Sequence, residues 1–437
     1  MKAVEGWIDI KIRDFFSSSM PGDWGTDGNP EDCIPVLRST NFRNNGLIDY
    51  SDIAYRKVEE ARLNKRRIGK GTILIEKSGG SPSQAAGRVV YCDCEFNGTA
   101  SNFIEVIKVK DDFSSRYVAF LLYYLYQIGI VLKYQQQTTG IINFKLNEYS
   151  EEMVNCPASK PEQTKIAEIL STVDRAIEQT EALITKQQRI KTGLMQDLLT
   201  RGIDDHGNLR SEQTHEFKDS PLGRIPVEWE AAELETVAEF VTSGSRGWAQ
   251  YYSSEGARFL RIGNLTRDHI NLRLEDMAFV NPPRTSEGKR TSVLPCDLII
   301  SITADLGIIG VIPEGFGEGY VNQHIALVRL SPTKGNARFI GWFLSGRGGR
   351  SQFEKLNESG AKAGLNLPTI RKLFVPITKP REEARIAEII DTNSNRVSDL
   401  YSRLGKLRSL KTALMQDLLT GKKRVAHLLE PAEKPAA

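Results

Sequence analysis

Residues 191–200 read KTGLMQDLLT and residues 411–420 read KTALMQDLLT, one phrase written twice, 220 positions apart in a chain of 437. A repeat at half the chain length demands a fold that uses one structural unit two times. Extended upstream without gaps, the match pairs Ile166–Thr200 with Ile386–Thr420. Fifteen of those 35 positions are identical, so a whole segment is duplicated.

Both segments carry helical signatures. In the first, Leu170, Ile177, Ile184 and Leu198 form one sevenfold row, and Ile166, Val173 and Leu194 form another. In the second, the rows are Ile390, Val397, Leu404 and Leu418, beside Ile386, Leu400, Leu407 and Leu414. Two such rows make the seam of a coiled coil, and Thr180, Gln187 and Asn393 interrupt it with polar groups that can set register. Prolines precede both segments (Pro157, Pro161; Pro376, Pro380), and Gly202 and Gly421 follow them as stops. At about 1.5 Å per residue, 35 helical residues span about 52 Å. Paired antiparallel, they are expected to form a strut with a globule at each end.

The intervening segments echo each other more faintly. VLRSTNFRNNGLID (36–49) aligns with FLRIGNLTRDHINL (259–272), matching Arg38 to Arg261 and Asn41 to Asn264. A scaffold ion pair is expected for those arginines. GTILIEKS (71–78) sits against CDLIISIT (296–303), and LNEYSEEMVNCP (146–157) against LNLPTIRKLFVP (365–376). Short β-branched runs bounded by Gly, Pro and Asn read as strands. The fold class is therefore α+β: two similar mixed globules and two long antiparallel coiled-coil helices, related by an internal pseudo-twofold repeat. The expected boundaries are a first globule at 1–159, a first helix at 160–202 and a polar linker at 203–222. A second globule at 223–378, a second helix at 379–424 and a tail at 425–437 follow.

Composition limits the function classes. The longest apolar run, VAFLLYYLYQIGIVL (118–132), is shorter than the roughly 20 residues of a spanning helix and contains Gln127 and Gly129, so a buried helix is expected. No signal-peptide pattern opens the chain, and a cytoplasmic protein without a membrane partner is expected. The five cysteines (33, 92, 94, 156 and 296) lack a disulfide framework, and Cys92 and Cys94 are read as buried strand thiols, with no metal site. A net charge of +3 leaves any nucleic-acid surface to local basic patches. Phosphate-loop, HExxH and GxSxG motifs are absent. Asn281-Pro282-Pro283-Arg284 resembles the N-P-P-aromatic loop of DNA amino-methyltransferases, but an arginine replaces the aromatic that stacks on a flipped base. FGEGY (316–320) runs into a further strand instead of opening a helix, against a glycine-rich cofactor turn.

With its duplicated IAEI…KT(G/A)LMQDLLT helices, its Trp-then-aliphatic globule starts (Trp7, Trp229) and its LGRIPVEWEAAEL entry, the chain resembles a type I restriction–modification specificity subunit over essentially its whole length. That resemblance implies two target-recognition domains, each reading one half of a bipartite, asymmetric site in double-stranded DNA. It implies docking of two modification subunits on the helices, with two restriction subunits as further partners. S-adenosylmethionine and ATP would belong to those partners; no cofactor or catalysis is expected on this chain. The rival expectations are a DNA adenine methyltransferase using Asn281-Pro282-Pro283 and a scaffold whose globules bind proteins.

The side chains expected to touch DNA follow from chemistry, since Arg, Lys, Asn and Gln read base edges while hydroxyls and amides hold phosphates. In the first globule the loops EKSGGSPSQAAGR and KYQQQTTG offer Lys77, Ser78, Gln84, Arg88, Lys133, Gln135, Gln136 and Thr139. In the second, TSGSRGWAQYY, GYVNQH, SGRGGRSQFEK and SGAKAG offer Ser245, Arg246, Trp248, Asn322, Gln323, His324, Arg347, Arg350 and Lys362. A third apolar row on the helices, Ile169, Leu183, Ile190 and Leu194 with Ile389, Leu410 and Leu414, is the surface expected to dock partner subunits.

Overall fold

The duplicated segments form two unbroken helices, Lys160–Leu198 (39 residues) and Pro380–Leu419 (40 residues). The computed structural model describes residues 5–81, 84–138, 141–283, 285–358 and 365–429. Both helices open beside proline, whose missing N–H is harmless in a first turn. Both stop at a left-handed glycine, Gly202 (φ 62°) and Gly421 (φ 71°). Gly202 is required on a second count: a Cβ there would lie 2.2 Å from the Glu382 carboxylate.

The chain divides into two compact units, and each long helix contributes one half to each. The first unit holds the residues up to Thr180 and those from Arg403 onward; the second holds Glu181–Ser402. Within each unit the two half-helices run antiparallel. Lys411 pairs with Asp174 at 2.6 Å in the first, and Asn393 donates to Gln187 at 3.1 Å in the second. The seam residues Ile166, Leu170, Ile386 and Ile390 are wholly buried, while Val397, Leu400 and Leu407 are half-buried.

In the first unit a four-stranded sheet has the order Phe16–Pro21, Ile104–Val109, Ile73–Glu76, Val89–Tyr91, all antiparallel. The apolar run expected to be a buried helix forms the Ser115–Gln127 helix, which buries Tyr117–Leu122 and Leu125 in the same core as Ile73, Ile75 and Ile107. Trp7–Lys11 pairs with Met153–Pro157 and leads the chain into its long helix. The second unit repeats this plan: the sheet order is Ala238–Ser243, Ile325–Leu330, Leu298–Ser301, Ile309–Val311, and Glu230–Glu233 pairs with Phe374–Ile377. Ala337–Ser345 takes the place of the Ser115–Gln127 helix.

The matched arginines mark a shared knot. Asn41 Oδ1 accepts from Arg38 N (2.8 Å) and Asn264 Oδ1 from Arg261 N (2.9 Å), and each asparagine amide donates to carbonyls further along its loop. The Arg38 side chain does pair with an acid, Asp52 (2.8 Å); that of Arg261 bonds the Asp276 carbonyl (3.2 Å). The asparagine, more than the arginine, ties the repeated turn.

The units diverge after their central helices. The first continues into a hairpin, Gln135–Thr138 with Ile141–Phe144, which adds Ser78–Gly80 as a third strand. The second continues into a helix, Arg347–Glu358, where the glycine-rich sequence had read as a loop. Gly348 and Gly349 serve close packing there: a Cβ would meet the Phe343 ring at 2.6 Å and the Leu344 carbonyl at 2.1 Å. Within the second unit, residues 203–222 include the Phe217–Ser220 strand and a buried ion pair from Arg210 to Glu382 (2.5 Å). Both neighbouring thiols follow the strand that ends at Tyr91 and so lie outside it; Cys92 is buried as expected, but Cys94 is exposed. Among the described residues, no helix is long and apolar enough to cross a membrane, and no cluster of His, Cys, Asp and Glu could hold a metal.

Candidate nucleic-acid interface

One end of each four-stranded sheet gathers most of the expected DNA-contacting side chains. In the first unit Lys77 and Ser78 leave the Ile73–Glu76 strand there, with Lys77 N bonded to Phe103 O (2.8 Å) just before Ile104. Ser78 Oγ reaches Asn143 Oδ1 (2.5 Å) on the added hairpin, whose Gln136 is exposed. Gln84 meets Asn44 (3.3 Å) from the neighbouring loop. In the second unit Ser245 follows the Ala238–Ser243 strand, and Asn322–His324 precede Ile325. Arg290 holds Ser245 Oγ (2.5 Å), while His324 Nδ1 meets Thr303 Oγ1 (2.7 Å) and His324 N donates to Asn322 Oδ1 (3.1 Å). Gln323 lies against the His324 ring (3.1 Å), and Arg246 is exposed on the adjoining turn. Both units thus present flexible amides, hydroxyls and cations at one rim, donors and acceptors suited to base edges and phosphates.

The structure gives several of the expected residues other work. Arg88 bonds both oxygens of the buried Glu76 carboxylate (2.8 and 2.7 Å) and the carbonyls of Phe42 and Ser39 (2.9 Å each). Burial opposes its charge, but Glu76 outweighs that penalty and raises its pKa. Arg88 is a brace. Gln135 is committed in the same way: its amide bonds Ala86 N and O and Val131 O. Trp248 belongs to the core, stacked on Phe259 at 5.2 Å with its indole N–H on Glu287 (3.0 Å). That hydrogen bond leads the causes that hold Glu287 below the usual carboxylate range. Lys77 pairs with the buried Glu105 (2.9 Å), and Lys133 pairs with Glu152 (3.2 Å). Arg347 and Arg350 are exposed on their helix, and Thr139 and Lys362 lie outside the described residues. Arg290 and Asn143, which no motif had marked, tie the rim together. Their only sequence signal was polarity beside a turn.

The helix row expected to dock partners splits into two groups. Leu183, Ile190 and Leu410 are exposed at 43, 40 and 47%. Leu194 and Ile389 instead pack against the second unit's core, and Ile169 and Leu414 against the first unit's core. The lysine that opens each repeated phrase also packs inward. Lys191 lies 4.7 Å from the Trp342 ring and Lys411 lies 5.0 Å from Tyr123. Burial lowers the Lys191 pKa, with Asp268 and Asp391 opposing the effect. Asn281 bonds the Tyr251 carbonyl through its backbone N–H (2.8 Å), as a turn residue does; Arg284 lies outside the described residues.

The sequence profile of the type I restriction modification DNA specificity domain matches residues 5–187. The MjaVIII specificity subunit of a type I restriction enzyme from Methanocaldococcus jannaschii is 23% identical over 325 residues, 74% of this chain and 72% of that one. The MjaX specificity subunit of the same organism is 21% identical over 431 residues, 96% and 94% of the two chains. Among solved structures, the S subunit of a type I restriction–modification system from M. genitalium superimposes with a TM-score of 0.62 at 15% identity, over 94% of this chain and 96% of that one. The profile stops at residue 187; the second unit repeats the order of the first unit's four-stranded sheet and the strand pair that leads into the long helix. Residues 5–187 thus match the type I specificity-domain profile, and over most of its length the chain is similar to type I restriction–modification specificity subunits and shares the fold of a solved one.

Proposed function

We propose that each unit reads one half of a bipartite, asymmetric sequence in double-stranded DNA through the rim at the end of its four-stranded sheet. The observation that carries this reading is a common scaffold with unlike rims. Both units share sheet order and the Asn41/Asn264 knot, yet one rim carries the Gln135–Phe144 hairpin and the other carries Arg290, Ser245 and Asn322–His324. An asymmetric target needs two different reading surfaces, and near-identical helices suit two copies of one partner. In this reading residues 1–159 and 223–378 are the recognition domains. The helices at 160–202 and 379–424 space the half-sites and dock two modification subunits through Leu183, Ile190 and Leu410. S-adenosylmethionine and ATP act on partner subunits, and the complex works in the cytoplasm.

The test is exchange of residues 1–159 for the matching segment of a relative, followed by sequencing of methylated adenines in host DNA. One half of the methylated motif changes and the other is retained. A change in both halves, or in neither, defeats the reading.

A further inference from the structure

The duplication also left two clefts at the opposite end of the sheets from the rims, and their charges differ. In the first unit a cleft of about 1000 Å³ opens at the start of the Ser115–Gln127 helix. Its counterpart in the second unit, about 830 Å³, opens at the start of the Ala337–Ser345 helix. The helix from the first cleft reaches the rim loops only at its far end, where Tyr123 and Tyr126 bond the carbonyls of Asn44 and Ala85. Tyr123 and Tyr126 lie eight and eleven residues beyond Ser115, about 12–17 Å along the helix.

Arg67, Lys70, Lys108, Lys110 and Lys160 line the first cleft, against the carboxylates of Glu95 and Asp111. Five cations against two anions leave it three charges positive. The second cleft has Arg329 and Lys334 against Glu230, Glu239, Asp297 and Glu383, which leaves it two charges negative. Its Arg329 is held by Asp297 through two bonds of 2.9 and 2.7 Å. Lys70, Lys108 and Lys110, in contrast, make no ion pair among the described residues.

The helix starts differ in the same sense. In the second unit Asn336 caps its helix by accepting from the amides of Arg338 and Phe339 (3.0 Å each), and the Glu383 carboxylate accepts from Asn336 N (2.7 Å). That N-terminus is already compensated by an anion. In the first unit the neutral Gln163 takes the place of Glu383, accepting from Ser114 N (2.9 Å). No side chain caps the Ser115–Gln127 helix. Ser114 is 9% exposed and lines the cleft, and among the described residues its hydroxyl caps no amide of the helix. The first amides of a helix, with the positive end of its dipole, bind anions.

We propose that the first unit's cleft is a phosphate-binding site, separate from the base-reading rim and absent from the second unit. Its ligand carries several phosphates in a row, seated between Lys70, Lys108 and Lys110 with one phosphate on the Ser114–Tyr117 turn. Two sources share that chemistry: the backbone of DNA flanking the recognised sequence, and a free polyphosphate or nucleoside triphosphate.

The experiment titrates the full chain with inorganic tripolyphosphate and with a duplex of random sequence, as wild type and as Lys70→Glu with Lys110→Glu. Both lysines are exposed, so the fold is retained. Lys334→Glu in the second cleft is the control. The double variant should bind tripolyphosphate at least tenfold more weakly, and the control should match wild type. A parallel loss on the duplex assigns the site to flanking DNA; a loss on tripolyphosphate alone assigns it to a free polyphosphate. Equal affinity of wild type and double variant for both probes overturns the proposal, as does equal weakening by Lys334→Glu. The outcome is independent of base reading, because the methylated motif reports on the rims whatever the cleft binds.

Discussion

Replacing Arg88 with methionine separates a brace from a base-reading residue. The guanidinium makes four hydrogen bonds of 2.7–2.9 Å, two of them to a carboxylate that is 1% exposed. Methionine keeps much of the volume but leaves Glu76 buried without a cation, a change that costs about 3–5 kcal/mol. The first unit contains about 215 residues, and in units of that size each kcal/mol moves the unfolding midpoint by about 2–4 °C. The variant should therefore lose roughly 6–20 °C from the first unit's transition in scanning calorimetry. Hydrogen exchange should accelerate in Ile73–Glu76 and Val89–Tyr91, the strands that carry the pair. Adding Glu76→Leu removes the stranded charge and should restore most of the loss, since apolar replacement of both partners is often neutral. At permissive temperature the methylated sequence should be that of wild type. A midpoint shift under 2 °C together with an altered target sequence would refute the bracing role.

Gln136→Ala and Gln323→Ala should leave both midpoints unchanged, and each should relax discrimination at one base of its own half-site by about 1–3 kcal/mol in competition binding. Leu183→Asp with Leu410→Asp should abolish co-purification of the modification subunits while the midpoints hold. Leu194→Asp or Leu414→Asp should instead lower the midpoint of the unit whose core it touches. Four residues inserted after Lys186 and after Lys406 add about 6 Å to each helix. The unspecified spacer in the methylated motif should then grow by one or two base pairs; an unchanged spacer in an active variant would show that the helices do not set it.

Features that repeat at short range were legible in the sequence. The sevenfold rows declared both helices, and the gapless alignment of Asn41 with Asn264 located a knot that the structure ties the same way twice. What escaped depends on partners distant in sequence. Arg88 read as a free cation because nothing local shows that Glu76 lies across two paired strands. Trp248 read as a surface aromatic because Phe259 and Tyr320, which enclose it, come from separate strands. Gly348 and Gly349 signalled a loop because glycine is compatible with both loose turns and tight packing, and only the Phe343 and Leu344 contacts tell them apart. The basic cleft draws Lys70, Lys110 and Lys160 from three segments far apart in the sequence, and nothing local shows that they meet.

The hydrogen bond between Gln187 and Asn393 has a consequence for ancestry. Under the 220-residue offset their counterparts are Leu407 and Val173, so the polar pair exists in only one of the two half-bundles. If two copies of the first helix met as a homodimer, Gln187 would face Val173, and its buried amide would go unanswered twice over. Each orphaned group costs about 1–3 kcal/mol, so the homotypic association constant falls by roughly two to four powers of ten. A half-length ancestor that dimerised with itself would have lacked this penalty. The pair therefore makes the chain's own two halves better companions for each other than for the halves of a sister molecule, and so disfavours exchange between copies.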